Sequence, residues 1–174
     1  MKLDIQLFAF DGEGKSQRKS YIVGVNVGTH ASPEWEIIGK DNEEINRALN
    51  NDVEAVKNVL GETEVEVTLG NQVTTVDPFK QRRESKFSQK LYEIYKYDKE
   101  LSDVEFEFIE INQEDKIGTE TVTFGAFTQV GAVDMKSYGG PAKYLTTPFD
   151  INWKGSKTHG TFDPTAKTFT QLSV

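Results

Sequence analysis

The sequence predicts a mainly β protein, a sandwich or barrel of antiparallel strands with one flanking α-helix. Three observations carry that expectation. About seven to nine short segments rich in β-branched and aromatic residues are separated by Gly, Pro, Asn and Asp. Two of them, Glu64-Val65-Glu66-Val67-Thr68-Leu69 and Val104-Glu105-Phe106-Glu107-Phe108-Ile109-Glu110-Ile111, alternate with the period of two that marks a strand. One stretch, about residues 78–97, carries an apolar stripe at helical spacing.

Residues 1–20 begin apolar and turn polar at Asp11-Gly12-Glu13-Gly14-Lys15, which reads as an N-terminal arm or loop preceding a single β domain over 21–174. Tyr21 to Gly28 is β-branched and bounded by glycine, and so is a strand. Thr29 to Pro33 is a turn and Glu34 to Ile38 a short strand. Ala48 to Val59 is ambiguous: Leu49, Val53, Val56 and Leu60 have helical spacing, but Asn50-Asn51-Asp52 opposes a helix. Leu69 to Val76, with Gly70, Asn71 and Gln72, reads as a long loop.

The helix is expected to open at Asp77 as N-cap with Pro78 in the first helical position. Phe79, Phe87, Leu91, Ile94 and Tyr95 form its buried stripe, and Lys80, Arg82, Arg83, Lys86 and Lys90 lie mostly outside it. In the next strand Val104, Phe106 and Phe108 face one way and Glu105 and Glu107 the other. A long strand over 120–135 contains Gly125 and Gly131, positions expected at bulges or close backbone approaches. Tyr144 to Lys154 holds a strand interrupted at Pro148. The chain ends in a hairpin, Thr158 to Phe162 and Thr168 to Leu172, around Asp163-Pro164-Thr165-Ala166-Lys167.

The apolar content of 36% is low for a self-contained domain and suits either a subunit that completes its packing with neighbours or a domain with long polar loops. Net charge is −8, unevenly spread: residues 79–100 carry a net +3 and the remainder −11. Such a balance disfavours a grip on nucleic acid, which depends on cations neutralising phosphates. With no cysteine there is neither a disulfide framework nor a thiolate metal site. No run is long enough to span a bilayer. The apolar start, with Asp4 inside it and no small-residue cleavage site, is a poor signal peptide, so folding in the cytoplasm is expected.

Templates for catalysis find little to match. There is no Gly-x-Ser-x-Gly turn, phosphate loop or dinucleotide fingerprint. His30 and His159 sit at a loop and a strand end without ligand spacing. Glu105, Glu107 and Glu110 could pose as a glycosidase pair, but alternating glutamates usually form the wet face of a sheet. Trp35 and Trp153 are expected in packing rather than in ligand stacking.

The order Trp35-Glu36-Ile37-Ile38-Gly39-Lys40-Asp41-Asn42-Glu43-Glu44, then Asn58-Val59-Leu60-Gly61-Glu62-Thr63, the alternating strand 64–69 and Asp77-Pro78-Phe79 before a helix resembles the tail tube proteins (major tail proteins) of tailed bacteriophages and phage-like tail particles. The opening Met1-Lys2-Leu3-Asp4-Ile5-Gln6-Leu7-Phe8 is also similar to the start of structural proteins from phages of Gram-positive hosts.

The resemblance implies two packed antiparallel sheets with a helix outside, subunits joined into hexameric rings, and inner sheets merged into one barrel around an acidic lumen through which DNA passes unbound. It implies Glu64, Glu66, Glu105 and Glu107 as lumen candidates, and Gly70, Asn71 and Gln72 within a loop that stacks rings. It also implies Lys80, Arg82, Arg83, Lys86 and Lys90 as a helix face meeting acidic neighbours. Expected partners are further copies of the chain, a tape measure protein, a tail terminator, and distal tail and baseplate proteins. No enzyme activity, cofactor, metal or membrane is expected. The location would be the virion tail, reached from the host cytoplasm. Two alternatives stand beside it: a carbohydrate-binding module using Trp35 or Trp153 with Tyr138 and Tyr144, and a small β-barrel enzyme using a carboxylate of raised pKa.

Overall fold

A computed structural model describes residues 15–40, 42, 44–118 and 122–172. The greater part of the expected arm, together with Asp41 and Glu43, lies outside the described residues. The protein is mainly β, with two antiparallel sheets and a single α-helix among the described residues, in agreement with the expected class.

In chain order the elements are β1 (Tyr21–Asn26), β2 (Trp35–Ile38), β3 (Glu44–Ala48), β4 (Asp52–Lys57), β5 (Thr63–Thr68), β6 (Val73–Asp77), α1 (Lys86–Tyr97), β7 (Glu105–Ile117), β8 (Thr123–Met135), β9 (Phe149–Asp163) and β10 (Thr168–Gln171). The large sheet runs β2-β1-β7-β8-β9-β6-β3, with β10 also paired to β9. The smaller sheet is the β4–β5 hairpin.

The alternation of β7 assigns the two faces of the large sheet. Phe106 and Phe108 point to one side, where Val23, Val25, Val76, Phe149 and Ile151 meet Phe87, Leu91 and Ile94 of α1. Ile109 and Ile111 point to the other, packing with Trp35, Phe124 and Phe162, with Ile22 and Phe169 alongside. Trp35 comes from β2 and Phe169 from β10, so the part of the sheet that runs β2-β1-β7-β8-β9-β10 curls to bring β2 and β10 around this second core. Phe87 is fully buried and meets Phe79, Phe106 and Phe149 edge-on at centroid distances of 5.8, 5.5 and 5.6 Å.

Several elements depart from expectation. The helix begins at Lys86, not at residue 78. Asp77-Pro78 is instead a cis peptide closing β6, and Lys80 forms a β-bridge with Thr146. The N-cap is Ser85, whose Oγ accepts from Ser88 N at 2.9 Å. Glu36 of β2 completes the cap: its carboxylate accepts from Lys86 N at 3.0 Å and Phe87 N at 3.2 Å, and Ser85 Oγ donates to it. A carboxylate there satisfies orphan amides and complements the positive end of the helix dipole.

The ambiguous stretch resolves into β4, and the loop expected over 69–76 yields β6 from Val73 onward. The strand expected over 144–154 starts only at Phe149 and continues through the first arm of the terminal hairpin as one 15-residue strand. It bends at Gly155 (φ +68°). Gly125 and Gly131 are close-approach positions as expected. A Cβ on Gly125 would lie 1.9 Å from Asp115, beside the register shift between Asn112 and Lys116. One on Gly131 would lie 2.4 Å from the Ile151 Cγ2 methyl.

Phe87→Ala is expected to lower the unfolding free energy by about 3–5 kcal/mol. Gly131→Ala is expected to cost about 1–3 kcal/mol through the clash with Ile151. Urea titration of the two variants against the parent chain checks both.

Candidate assembly surfaces

Three places concentrate unusual chemistry: the hairpin, a groove beside β2, and a buried ionic cluster. The hairpin springs from the β3–β6 ladder, and all six residues of each of its strands are exposed. Its register separates two faces. Val53↔Val67 and Ala55↔Val65 stack on one; Glu54↔Glu66 and Val56↔Glu64 lie on the other. Glu54 and Glu66 are directly opposed like charges, an arrangement that destabilises a hairpin standing alone.

The tip is ordered by its own hydrogen bonds. Asn58 Oδ1 accepts from Leu60 N and Glu62 N, each at 3.0 Å, and Asn58 N donates to Glu62 O at 3.0 Å. Gly61 adopts φ +81°, a conformation favoured only for glycine. This short-range bonding holds Val59 and Leu60 out in solvent.

The groove, about 500 Å³, lies between β2, the segment leading to α1 and the β9–β10 turn. Val27, Trp35, Ile37 and Phe79 give it apolar walls, and Lys40, Lys80, Lys86 and Lys167 stand around it. Lys86 is paired with Glu34 at 2.6 Å. Trp35 is only 8% exposed, yet among the described residues its Nε1 has no acceptor, and neither does Asn42 Nδ2; both residues line the groove.

The ionic cluster lies on the α1 side of the sheet. Arg47 of β3 donates to Glu110 of β7, to Gln129 of β8 at 2.6 Å and to Gln72 at 2.5 and 2.9 Å. Its guanidinium stacks on Trp153 at 4.2 Å. Tyr21 Oη also donates to Glu110. Burial pushes the Glu110 carboxyl up, to about 7, against the pull of Lys157 and Arg18. Burial likewise brings Arg47 down, to about 10. The contact between the two charges opposes both shifts.

The sequence-predicted residues are distributed differently from their grouping in the sequence. Glu64 and Glu66 sit on the acidic face of the hairpin. Glu105 and Glu107 lie on the large sheet, where Glu105 accepts from Lys154 at 2.8 Å and Glu107 from Asn26 at 3.1 Å. Glu110, grouped with them as a wet-face residue, is 4% exposed and points to the opposite side.

Gly70, Asn71 and Gln72 form the base of the hairpin: Asn50 Nδ2 donates to Asn71 O at 2.8 Å, and Gln72 holds Arg47. Of the expected helix face only Lys86 and Lys90 are on α1; Lys80, Arg82 and Arg83 precede it, because the helix starts late. Trp35 and Trp153 both pack inside, Trp153 edge-on to Phe108 at 5.5 Å. The Arg47 cluster was invisible in the sequence, since Gln72, Glu110 and Gln129 lie 25, 63 and 82 residues from Arg47.

No protein-family model matches the sequence, and no curated protein matches it. Among solved structures, the chain is similar to one in the cryo-EM structure of the anti-feeding prophage (AFP) baseplate, 6-fold symmetrised. The TM-score is 0.41 and the identity 12%, over 86% of this chain and 97% of that one. A likeness that faint defines neither a fold family nor a function.

Arg47→Met is expected to cost about 3–5 kcal/mol at neutral pH, because it leaves a buried carboxylate uncompensated. Adding Glu110→Gln should return much of that loss. The folded carboxyl binds its proton more tightly than the unfolded one, so its contribution is complete below the ordinary value of 4.5 and is lost as pH rises through about 7. Stability measured across that window should therefore fall with pH in the parent chain and fall less in Glu110→Gln.

Proposed function

We propose that this chain is the structural subunit of a phage or phage-like tail tube, polymerising as stacked hexameric rings around an acidic lumen that DNA traverses without specific binding. The observation that carries the reading is the β4–β5 hairpin, a projecting ribbon whose valine face has nothing to pack against among the described residues. A two-stranded ribbon in water is marginal by itself. An apolar face, a preformed apolar tip and opposed glutamates make sense on a surface that is completed by other subunits.

The low apolar content agrees with this, as does the excess of negative charge outside residues 79–100. In this reading Glu64, Glu66, Glu105 and Glu107 contribute to the acidic wall, and the tape measure, terminator, distal tail and baseplate proteins are the other partners. The role is structural rather than catalytic. The carboxylate with a raised pKa, Glu110, is held by Arg47 and Tyr21 instead of lining the groove.

One observation favours the carbohydrate-binding alternative. Tyr138 stacks on Tyr95 at 4.5 Å beside Tyr92, giving a partly exposed aromatic surface. The tryptophans that reading relied on are packed inside.

Negative-stain electron microscopy of concentrated protein, with a light-scattering mass on the same sample, tests the assignment. Hollow particles of uniform width are expected, and Val53→Asp with Val67→Asp should abolish them while the melting temperature of the subunit changes little. A particle that stays monomeric and binds glycans on an array would overturn the tube in favour of the binding module.

A further inference from the structure

We infer that the groove beside β2 is the receptor for the hairpin tip of a second copy of this chain. Val59 and Leu60 enter between β2 and the segment leading to α1. The inference deepens the tube reading by naming the two surfaces that meet.

Position within the chain makes the contact intermolecular. The β3–β6 ladder runs from Glu44↔Asp77 to Ala48↔Val73. Its first end adjoins the chain that lines the groove, Gly39 to Asn42 on one side and Phe79 to Arg82 on the other. Its second end feeds directly into the hairpin. Receptor and tip therefore stand at opposite ends of one antiparallel ladder. A contact between different patches on two copies is heterologous, and it propagates from copy to copy instead of stopping at a dimer.

Chemistry favours the same pair. The tip offers two exposed aliphatic side chains in a loop already fixed by Asn58, so little ordering is left for association. The groove offers apolar walls of matching scale. Charge is complementary: the hairpin from Asp52 to Thr68 carries five carboxylates and one lysine. Around the groove, Lys40, Lys80 and Lys167 have no ion pair among the described residues, and of the acidic residues there Glu34 and Glu36 are engaged by Lys86 and by the helix N-terminus, leaving Glu84.

Among the described residues two buried donors have no acceptor, Trp35 Nε1 and Asn42 Nδ2, and both belong to the groove wall. An incoming loop supplies carbonyl and carboxylate acceptors, which is the kind of group those donors lack. β2 is moreover an edge strand, hydrogen-bonded among the described residues to β1 alone, so its outer edge can pair with extended chain.

The sequence has no cysteine, which makes site-directed cross-linking free of background. Leu60→Cys and Lys167→Cys are prepared as separate variants, mixed at high concentration and oxidised mildly. A Leu60→Cys with Lys116→Cys mixture is the control, since Lys116 lies on β7 away from the groove. A disulfide-linked pair of chains is expected in the first mixture, at a yield about tenfold above the control, and Val59→Asp in the Leu60→Cys chain should reduce it by about tenfold. Lys80→Glu in the Lys167→Cys chain should weaken it further at low salt than at high salt.

Equal yields in the two mixtures, or no pair in either, would overturn the inference. Hollow tubes without the Leu60–Lys167 link would sink the groove contact and leave the tube reading standing. The link without hollow particles at any concentration would do the reverse.

Discussion

A β-strand has two hydrogen-bonding edges, and β9 uses one of them twice. Along one edge it pairs with β8 for nearly its whole length. Along the other it pairs first with β6, through Phe149 to Asn152, and then with β10, through Gly160 to Asp163. The change of partner requires a bend, and Gly155 with φ +68° stands between the two halves. On one side of that bend the sheet extends through β6 to β3 and carries the hairpin. On the other it curls through β10 toward β2 and closes the second core. Trp153, just before the bend, is placed under Arg47, so the ionic cluster also depends on this strand.

Much of this fold was legible where local pattern and burial coincide. The alternation at 64–69 and 104–111 and the Asp163 turn report structure directly, because side-chain period and pleat are the same thing. Asp163 Oδ1 accepts from Thr165 N and Ala166 N at 2.7 and 3.0 Å, which is what an Asp in that turn does. The start of the helix was misplaced because Asp77-Pro78 has the form of a cap, whereas the real cap is shared between Ser85 and a glutamate 49 residues earlier. Spacing within a segment cannot report a cap supplied by another strand. Leu49, Val53 and Val56 fit a helical template, but the hairpin pairing of Val53 with Val67 decides their conformation. The same limit hid Arg47, Gln129 and Glu110.

The hairpin and the ionic cluster show opposite uses of polar groups. Inside, Arg47 satisfies Gln72, Gln129 and Glu110 at once, so a charge that would be expensive in the interior becomes a joint between β3 and the β7–β8 pair. Outside, Glu54 and Glu66 face one another, and neighbouring valines are exposed among the described residues. Among the described residues the body buries its apolar side chains and the ribbon does not. That asymmetry divides the described residues into a packed body and an exposed apolar projection.

Glu36 has a consequence for how the two regions communicate. Its backbone belongs to β2, the wall of the groove, while its carboxylate holds the first amides of α1. A strand edge and a helix end are thus fastened by one side chain with few rotatable bonds. Loss of the Glu36 carboxylate would therefore uncap two amides of α1 and untie the groove wall from the helix in one step. Helix capping and the shape of the groove are thus set by the same residue.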